Sequence, residues 1–385
     1  MISKNKSGVN EIIFIVGFFL PNIIRPLLHL FSSASSFILL GLYIFLFVIA
    51  LFNNGFCIMF SKNKKTIIFA IIILLVFLVD FVTRKNSELF GYFVALVRCF
   101  ILPLCLYCTI KERRNLLLYW SIFGVIIGCL YCVDPLLEYR LSNGYMPFGF
   151  NIMLPAFCGA LILCTYYKKR SVIFLAVLFF FEIAIFANKG SLISASILFI
   201  FIYVFGKKRK TSLFRLIMVV LLIAAIWNVR SDILHFFISV ADKLSFDSYS
   251  INTLKTMLDG NAKLIFDART DIWDITLKEI NGSFFVGYGI GWFRSMYDVY
   301  PHNFILELMV SDGLFAAIPF ILYTMYCLFR ILRCKQKEDY IFGMCLFIIW
   351  IIPLSISLTL WDYAPIWLFF IFSGEIVENK IFMTD

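Results

Sequence analysis

Apolar residues run along this chain in blocks about 20 residues long, each bounded by a short stretch where Lys, Arg, Asn and Pro gather. Wound as an α-helix at about 1.5 Å per residue, such a block crosses a hydrocarbon core of about 30 Å. The pattern predicts helices near 12–31, 37–60, 66–83, 89–110, 115–133, 148–167, 171–186, 190–206, 213–228, 303–329, 340–358 and 362–377, the last of them short. The fold class is therefore an all-α polytopic membrane protein with about twelve transmembrane helices.

Charge placement orients these helices. Twenty-one of the 34 Lys and Arg fall on alternate connections, as at Lys62, Lys64 and Lys65 or from Lys207 to Lys210, and these belong on the cytoplasmic side. The short connections on the other side hold only Arg84, Lys85, Arg140 and Lys189. Both ends are then cytoplasmic. Lys4 and Lys6 before the apolar stretch Ile12–Leu20 have the outline of a leader. Pro21, Asn22 and Arg25 stand where a small-residue cleavage site would lie, so the stretch reads as a retained first helix.

Composition agrees. Hydrophobic residues make up 62% of the 385 and charged ones 15%, against about 45–50% and about 25% in soluble domains. A soluble globular protein is excluded. The net charge of +10 does not indicate nucleic acid, because the basic residues sit in short clusters between apolar segments and form no single stripe. Two CxxC pairs, Cys105/Cys108 and Cys129/Cys132, have a spacing used by zinc sites. The helix placement puts them at opposite sides of the bilayer, so they read as small apolar fillers, and neither a metal nor a cofactor is called for.

Three regions follow: helices over 1–228, a long external segment over 229–302, and helices with a cytoplasmic tail over 303–385. Long connections without a role are uncommon, which concentrates function in the middle region. There Asp242, Lys243, Asp247, Ser248, Asn252 and Lys255 alternate with apolar residues, suggesting short amphipathic helices on the membrane surface. A further helix is expected from Ala268, with Asp267 as its N-cap, Trp273, Leu277 and Ile280 on one face, and Asn281-Gly282 at its end.

The candidate chemistry is polar and scarce. Arg98 lies inside an apolar block, where an unpaired charge costs at least about 2.5 kcal/mol; it faces a polar cavity or pairs with a carboxylate such as Asp80 or Glu182. Arg25 invites the same reading or snorkels. Arg269 lies one turn before Trp273, and its planar fork suits a diphosphate, though a solvated surface arginine has the same pattern. Gly287-Tyr-Gly-Ile-Gly291 matches no phosphate loop and reads as a tight turn approaching the membrane. Pro301-His302-Asn303 directly precedes a helix: His302 serves as a general base, or His302 and Asn303 simply cap that helix. Glu307 and Asp312 follow within the same apolar block, where two carboxylates are costly unless they face a cavity.

Over about Asp267 to Pro319 these residues resemble the O-antigen polymerase and O-antigen ligase family of bacterial envelope glycan enzymes. The likeness lies in an external Arg before a Trp-bearing helix (Arg269, Trp273), a glycine-rich turn (Gly287 to Gly291), and His302-Asn303 leading a helix with a later Gly313. Asn188-Lys189-Gly190-Ser191 stands where the family often has Ser-Arg-Gly, so Lys replaces Arg. Ser311, with Asp312 beside it, stands where a Glu is common. The resemblance implies a glycosyltransferase of GT-C-like architecture in the bacterial inner membrane, with its active site on the external face. Its donor would be a glycan on undecaprenyl diphosphate and its acceptor a sugar hydroxyl, without a metal. On that reading Arg269, Lys189 and Arg98 bind the diphosphate, and His302, with Glu307 as the competing candidate, takes the acceptor proton. Partners would be the lipid-linked oligosaccharide, the bilayer and a chain-length regulator. A polymerase is favoured over a ligase acting on lipid A core. A flippase or secondary transporter also carries about twelve helices, but would show internal repeats, and none is found.

Overall fold

A computed structural model gives the architecture. It describes residues 7–28, 35–56, 58, 63–84, 86–111, 115–205 and 262–375, with the isolated positions 235, 238–239 and 255–256. Thirteen helices cover most of these: α1 Ser7–Leu28, α2 Ser35–Asn53, α3 Lys64–Thr83, α4 Leu89–Tyr107, α5 Leu116–Tyr131, α6 Tyr145–Thr165, α7 Ile173–Phe186, α8 Lys189–Phe205, α9 Ala262–Gly282, α10 Trp292–Tyr297, α11 Phe304–Leu332, α12 Lys337–Ile356 and α13 Ala364–Glu375. No strand occurs among the described residues. Eleven of the twelve expected segments coincide with helices. The twelfth, 213–228, lies outside the described residues, as do the alternating polar positions from Asp242 to Asn252.

By length and composition five of these helices, α3, α4, α6, α11 and α12, can cross a membrane. α3 shows why the chain needs lipid. Ile68, Leu75 and Val82 are 56%, 53% and 71% exposed, a continuous apolar face that water would not tolerate. The protein is an integral membrane protein.

The chain forms two compact units, Met1–Phe18 with Ala34–Leu117 and Ile272–Asp385, and Phe19–Ser33 with Leu118–Asp271. In the first, α13 is the core. Every residue from Pro365 to Gly374 is buried, the mark of a helix apolar on all sides and enclosed by neighbours. Trp367 stacks on Phe100 of α4 at 4.8 Å, and Phe370 meets Phe69 of α3 at 5.2 Å. In the second unit α6 is the enclosed helix. Close approach is allowed by glycine: a Cβ at Gly159 would fall 2.6 Å from the Ser121 carbonyl of α5, and one at Gly128 of α5 2.5 Å from Ala156.

α9 begins at Ala262, so Asp267 lies inside it and is not its N-cap; Gly282 ends it as expected. Its packed face is also rotated from the expected one. Ile272, Ile275 and Ile280 join Phe293 of α10 and Val310 of α11, while Leu277 is exposed. Trp273 instead donates from Nε1 to the Pro301 carbonyl at 2.9 Å.

Candidate functional site

In the first unit one membrane helix is broken and a non-helical segment joins two others, and polar groups from elsewhere hold both. α11 breaks at Gly313, whose φ of 65° and ψ of −170° no other residue adopts readily. The break frees backbone groups that lipid cannot satisfy. The glycine-rich turn satisfies them: Tyr288 N donates to the Val310 carbonyl at 2.9 Å and Gly289 N to that of Ser311, while Leu314 N and Phe315 N donate to Phe284 and Phe285. The fit excludes side chains, since a Cβ at Gly287 would lie 2.4 Å from the Ser311 oxygen and one at Gly313 2.3 Å from the Phe285 carbonyl carbon. Asp80 and Arg84, one turn apart at the end of α3, lock this junction. Arg84 donates to the Ser311 and Val286 carbonyls, each at 3.1 Å, and Asp80 accepts from Ile290 N at 2.7 Å. The turn predicted at Gly287–Gly291 is thus a plug for a broken helix.

The second feature is the non-helical segment 357–363 that joins α12 to α13. His302 and Glu307 hold it, and Asn303 holds the last turn of α12 before it. Asn303 is the N-cap of α11, accepting from Ile305 N and Leu306 N through Oδ1, and its Nδ2 donates to the Ser355 carbonyl at 3.1 Å. His302 does not cap. It sits in the left-handed region at φ 55° with Nδ1 3.1 Å from the Ser357 carbonyl, which also accepts from Tyr300 Oη at 2.9 Å. A carbonyl only accepts, so Nδ1 is the donor in this bond. Glu307 is buried; Oε1 accepts from Thr359 Oγ1 at 2.5 Å and Oε2 from Leu360 N at 2.9 Å. Both oxygens of Glu307 are therefore engaged in positioning 359–360. Asp312 is buried too and lines a cavity.

Arg98 reaches the same segment. It lies in a π-turn of α4, Val97–Ile101, a distortion common at functional positions. Its carboxylate partner is Asp362, not the expected Asp80 or Glu182. Asp80 is taken by Arg84, to which it is an i,i+4 ion pair at 3.4 Å. Arg294 of α10 completes the cluster through its 3.5 Å pair with Glu88 and its bond to the Tyr92 hydroxyl. That bond raises the Arg294 guanidinium above its ordinary range, against the opposing effect of burial.

The second unit brings Lys189 and Arg269 close enough for their charges to interact. Lys189 opens α8, where Asn188 Oδ1 accepts from Ser191 N at 2.9 Å. α6 presses on this turn at Gly149, where a Cβ would lie 2.4 Å from Ser191 Oγ. The two cations expected at a diphosphate are thus neighbours.

Residues 174–321, from α7 through α9 and past the break in α11, match the family model described as O-antigen ligase. The chain carries an O-antigen ligase family domain. The resemblance seen from Asp267 to Pro319 falls wholly within it, as do Lys189, Arg269, His302 and Glu307. Searches of curated proteins and of solved structures returned no match. Around the O-antigen ligase domain the sequence reading missed Arg84, Tyr92, Arg294 and Asp362 as contributors. The i,i+4 spacing of Asp80 and Arg84 was a usable signal; Tyr92 and Asp362 gave none, since their role depends on contacts more than 200 residues away in sequence.

Proposed function

We propose that this protein is a repeat-unit polymerase of the bacterial inner membrane, transferring a growing glycan from undecaprenyl diphosphate to a sugar hydroxyl of another lipid-linked repeat unit on the external face. The O-antigen ligase family domain supports glycan transfer in general. The observation that carries the chemistry is the bond from His302 Nδ1 to the Ser357 carbonyl. It holds the ring in one orientation, and His302 is assigned to accept the proton as the acceptor oxygen bonds to the anomeric carbon and the carbon–oxygen bond to the diphosphate breaks. The leaving diphosphate retains the electron pair, and Arg269 and Lys189 are assigned to its charge, with no metal in the scheme. Glu307, with both oxygens occupied, becomes a positioning residue, and Arg98 a cation already balanced by Asp362. Twelve spans with both ends inside, and a chain-length regulator as partner, complete this reading.

A ligase that transfers finished glycan to lipid A core is the second reading, favoured by the description of the matching family itself. A glycan gel of a deletion strain beside its complemented counterpart separates the two. Loss of the long ladder to core bearing a single repeat supports the polymerase. Lipid-linked polymer that never reaches core supports the ligase, and an unchanged ladder refutes both. In the same strain Arg269→Ala is expected to lower polymer output about 10²–10³-fold, the usual effect of removing one preorganised donor to a developing charge. Full output at normal protein abundance would remove Arg269 from the site.

A further inference from the structure

Along the first unit runs a cavity of about 800 Å³ whose walls are α3 and α11. On α3 its lining extends from Lys65 to Arg84, about 28 Å at 1.5 Å per residue. That is nearly the whole hydrocarbon thickness of about 30 Å. An ordinary phospholipid acyl chain occupies one leaflet, half of that depth. The walls are apolar, and Ile72, Val79 and Phe315, which border the cavity, are 51%, 55% and 71% exposed, so it opens sideways along its length. Its ends differ. One is closed by Lys65, whose Nζ bonds Tyr326 Oη at 2.5 Å. The other reaches Asp80, Arg84 and Asp312, beside the Gly313 break, and Leu308, the residue after Glu307, is part of its wall.

Resting on the proposed function, the geometry points to this groove as the binding site for the polyisoprenoid chain of a lipid-linked substrate, entered from the bilayer, with the chain's head at the Arg84 end. Three observations carry it together: a depth greater than one leaflet, a lateral opening, and continuity with the first turns of α11, which bear Glu307 and directly follow His302. The charges at that end set which part of the lipid lies there. All three Arg84 nitrogens are engaged, Nε with Asp80 and the other two with backbone carbonyls, and two carboxylates surround it. The groove therefore holds hydrocarbon up to this level, and the diphosphate lies beyond it.

The test uses the full-length protein in nanodiscs, with bound undecaprenyl phosphate counted by native mass spectrometry. Ala316→Trp and Ile72→Trp fill the groove from opposite walls and are each expected to weaken binding about tenfold or more. Leu78→Trp, on the lipid-facing side of α3 outside the groove, is expected to bind as the wild type does. Excess phosphatidylglycerol and short-chain citronellyl phosphate should displace little. Unchanged binding in both groove variants overturns the assignment, and so does equal displacement by phosphatidylglycerol, which would make the groove a resting place for bulk lipid. Glycan transfer is measured separately on the same samples. If transfer is absent while the binding pattern holds, the proposed activity fails and the groove stands.

Discussion

His302→Asn is expected to lower glycan transfer about 10²–10⁴-fold, the usual contribution of a positioned general base, while leaving the amount and thermal stability of the protein unchanged. Asparagine is chosen because it separates the two things His302 does. Its side-chain amide can donate to the Ser357 carbonyl in place of Nδ1, 3.1 Å away in the native chain, and it tolerates the left-handed backbone at φ 55° better than alanine does. It offers no basic nitrogen. A loss of rate without loss of fold therefore reports proton transfer, measured as polymer length on a gel and as protein abundance by immunoblot. His302→Ala should show the same rate loss with lower stability, because the Ser357 carbonyl then loses one of its donors. Full activity of His302→Asn would return the role of base to Glu307, despite its two occupied oxygens.

Gly313→Ala is expected to remove most folded protein. At φ 65° and ψ −170° a Cβ costs about 1–3 kcal/mol in backbone strain. Here it also lies 2.3 Å from the Phe285 carbonyl carbon, an overlap that adds about 1–3 kcal/mol as backbones separate. The combined penalty approaches the lower end of the roughly 5–15 kcal/mol that holds an ordinary domain together. Gly287→Ala should behave alike, since it meets the Ser311 oxygen from the opposite side at 2.4 Å. Gly41→Ala and Gly91→Ala are the controls: nothing lies within 4 Å of either added Cβ, and alanine is the better helix former. Monodisperse yield after detergent extraction measures all four. Normal yield of Gly313→Ala would mean that the break in α11 is not fixed by contact with the glycine-rich turn.

The helices were legible because each is an apolar block bounded by polar residues, and the blocks ending at Thr83, Phe186 and Phe205 were read within a residue of their observed ends. Less legible were features set by tertiary contact. Asp267 looked like a cap because Asp before a helical pattern usually is one, yet the helix continues backward to Ala262. Gly313 was read as a family position, but its departure from helix follows only from the 284–289 segment lying against it. For the site, the residue types were legible and their roles less so. Asn303 as cap was one of two open readings, and the structure assigns it that role while giving His302 a different bond. The pairing of Arg98 with Asp362 joins positions 264 apart, and no spacing rule reaches that far.

The plug in α11 constrains the order in which the chain is built. Helices normally settle into the bilayer one by one, each satisfied by its own backbone bonds. α11 cannot, because the groups released at Gly313 are taken up by residues 284–289 and by Arg84, made 227 positions before Ser311. Until the C-terminal third has emerged, Asp80 and Arg84 have only each other as partners at the end of α3. The first unit is therefore a late closure: α3 is made long before its partners, and its junction with the glycine turn and α11 can form only after both have arrived. A ribosome-stalled chain ending before residue 284 should accordingly expose Arg84 to labelling reagents that the finished protein excludes.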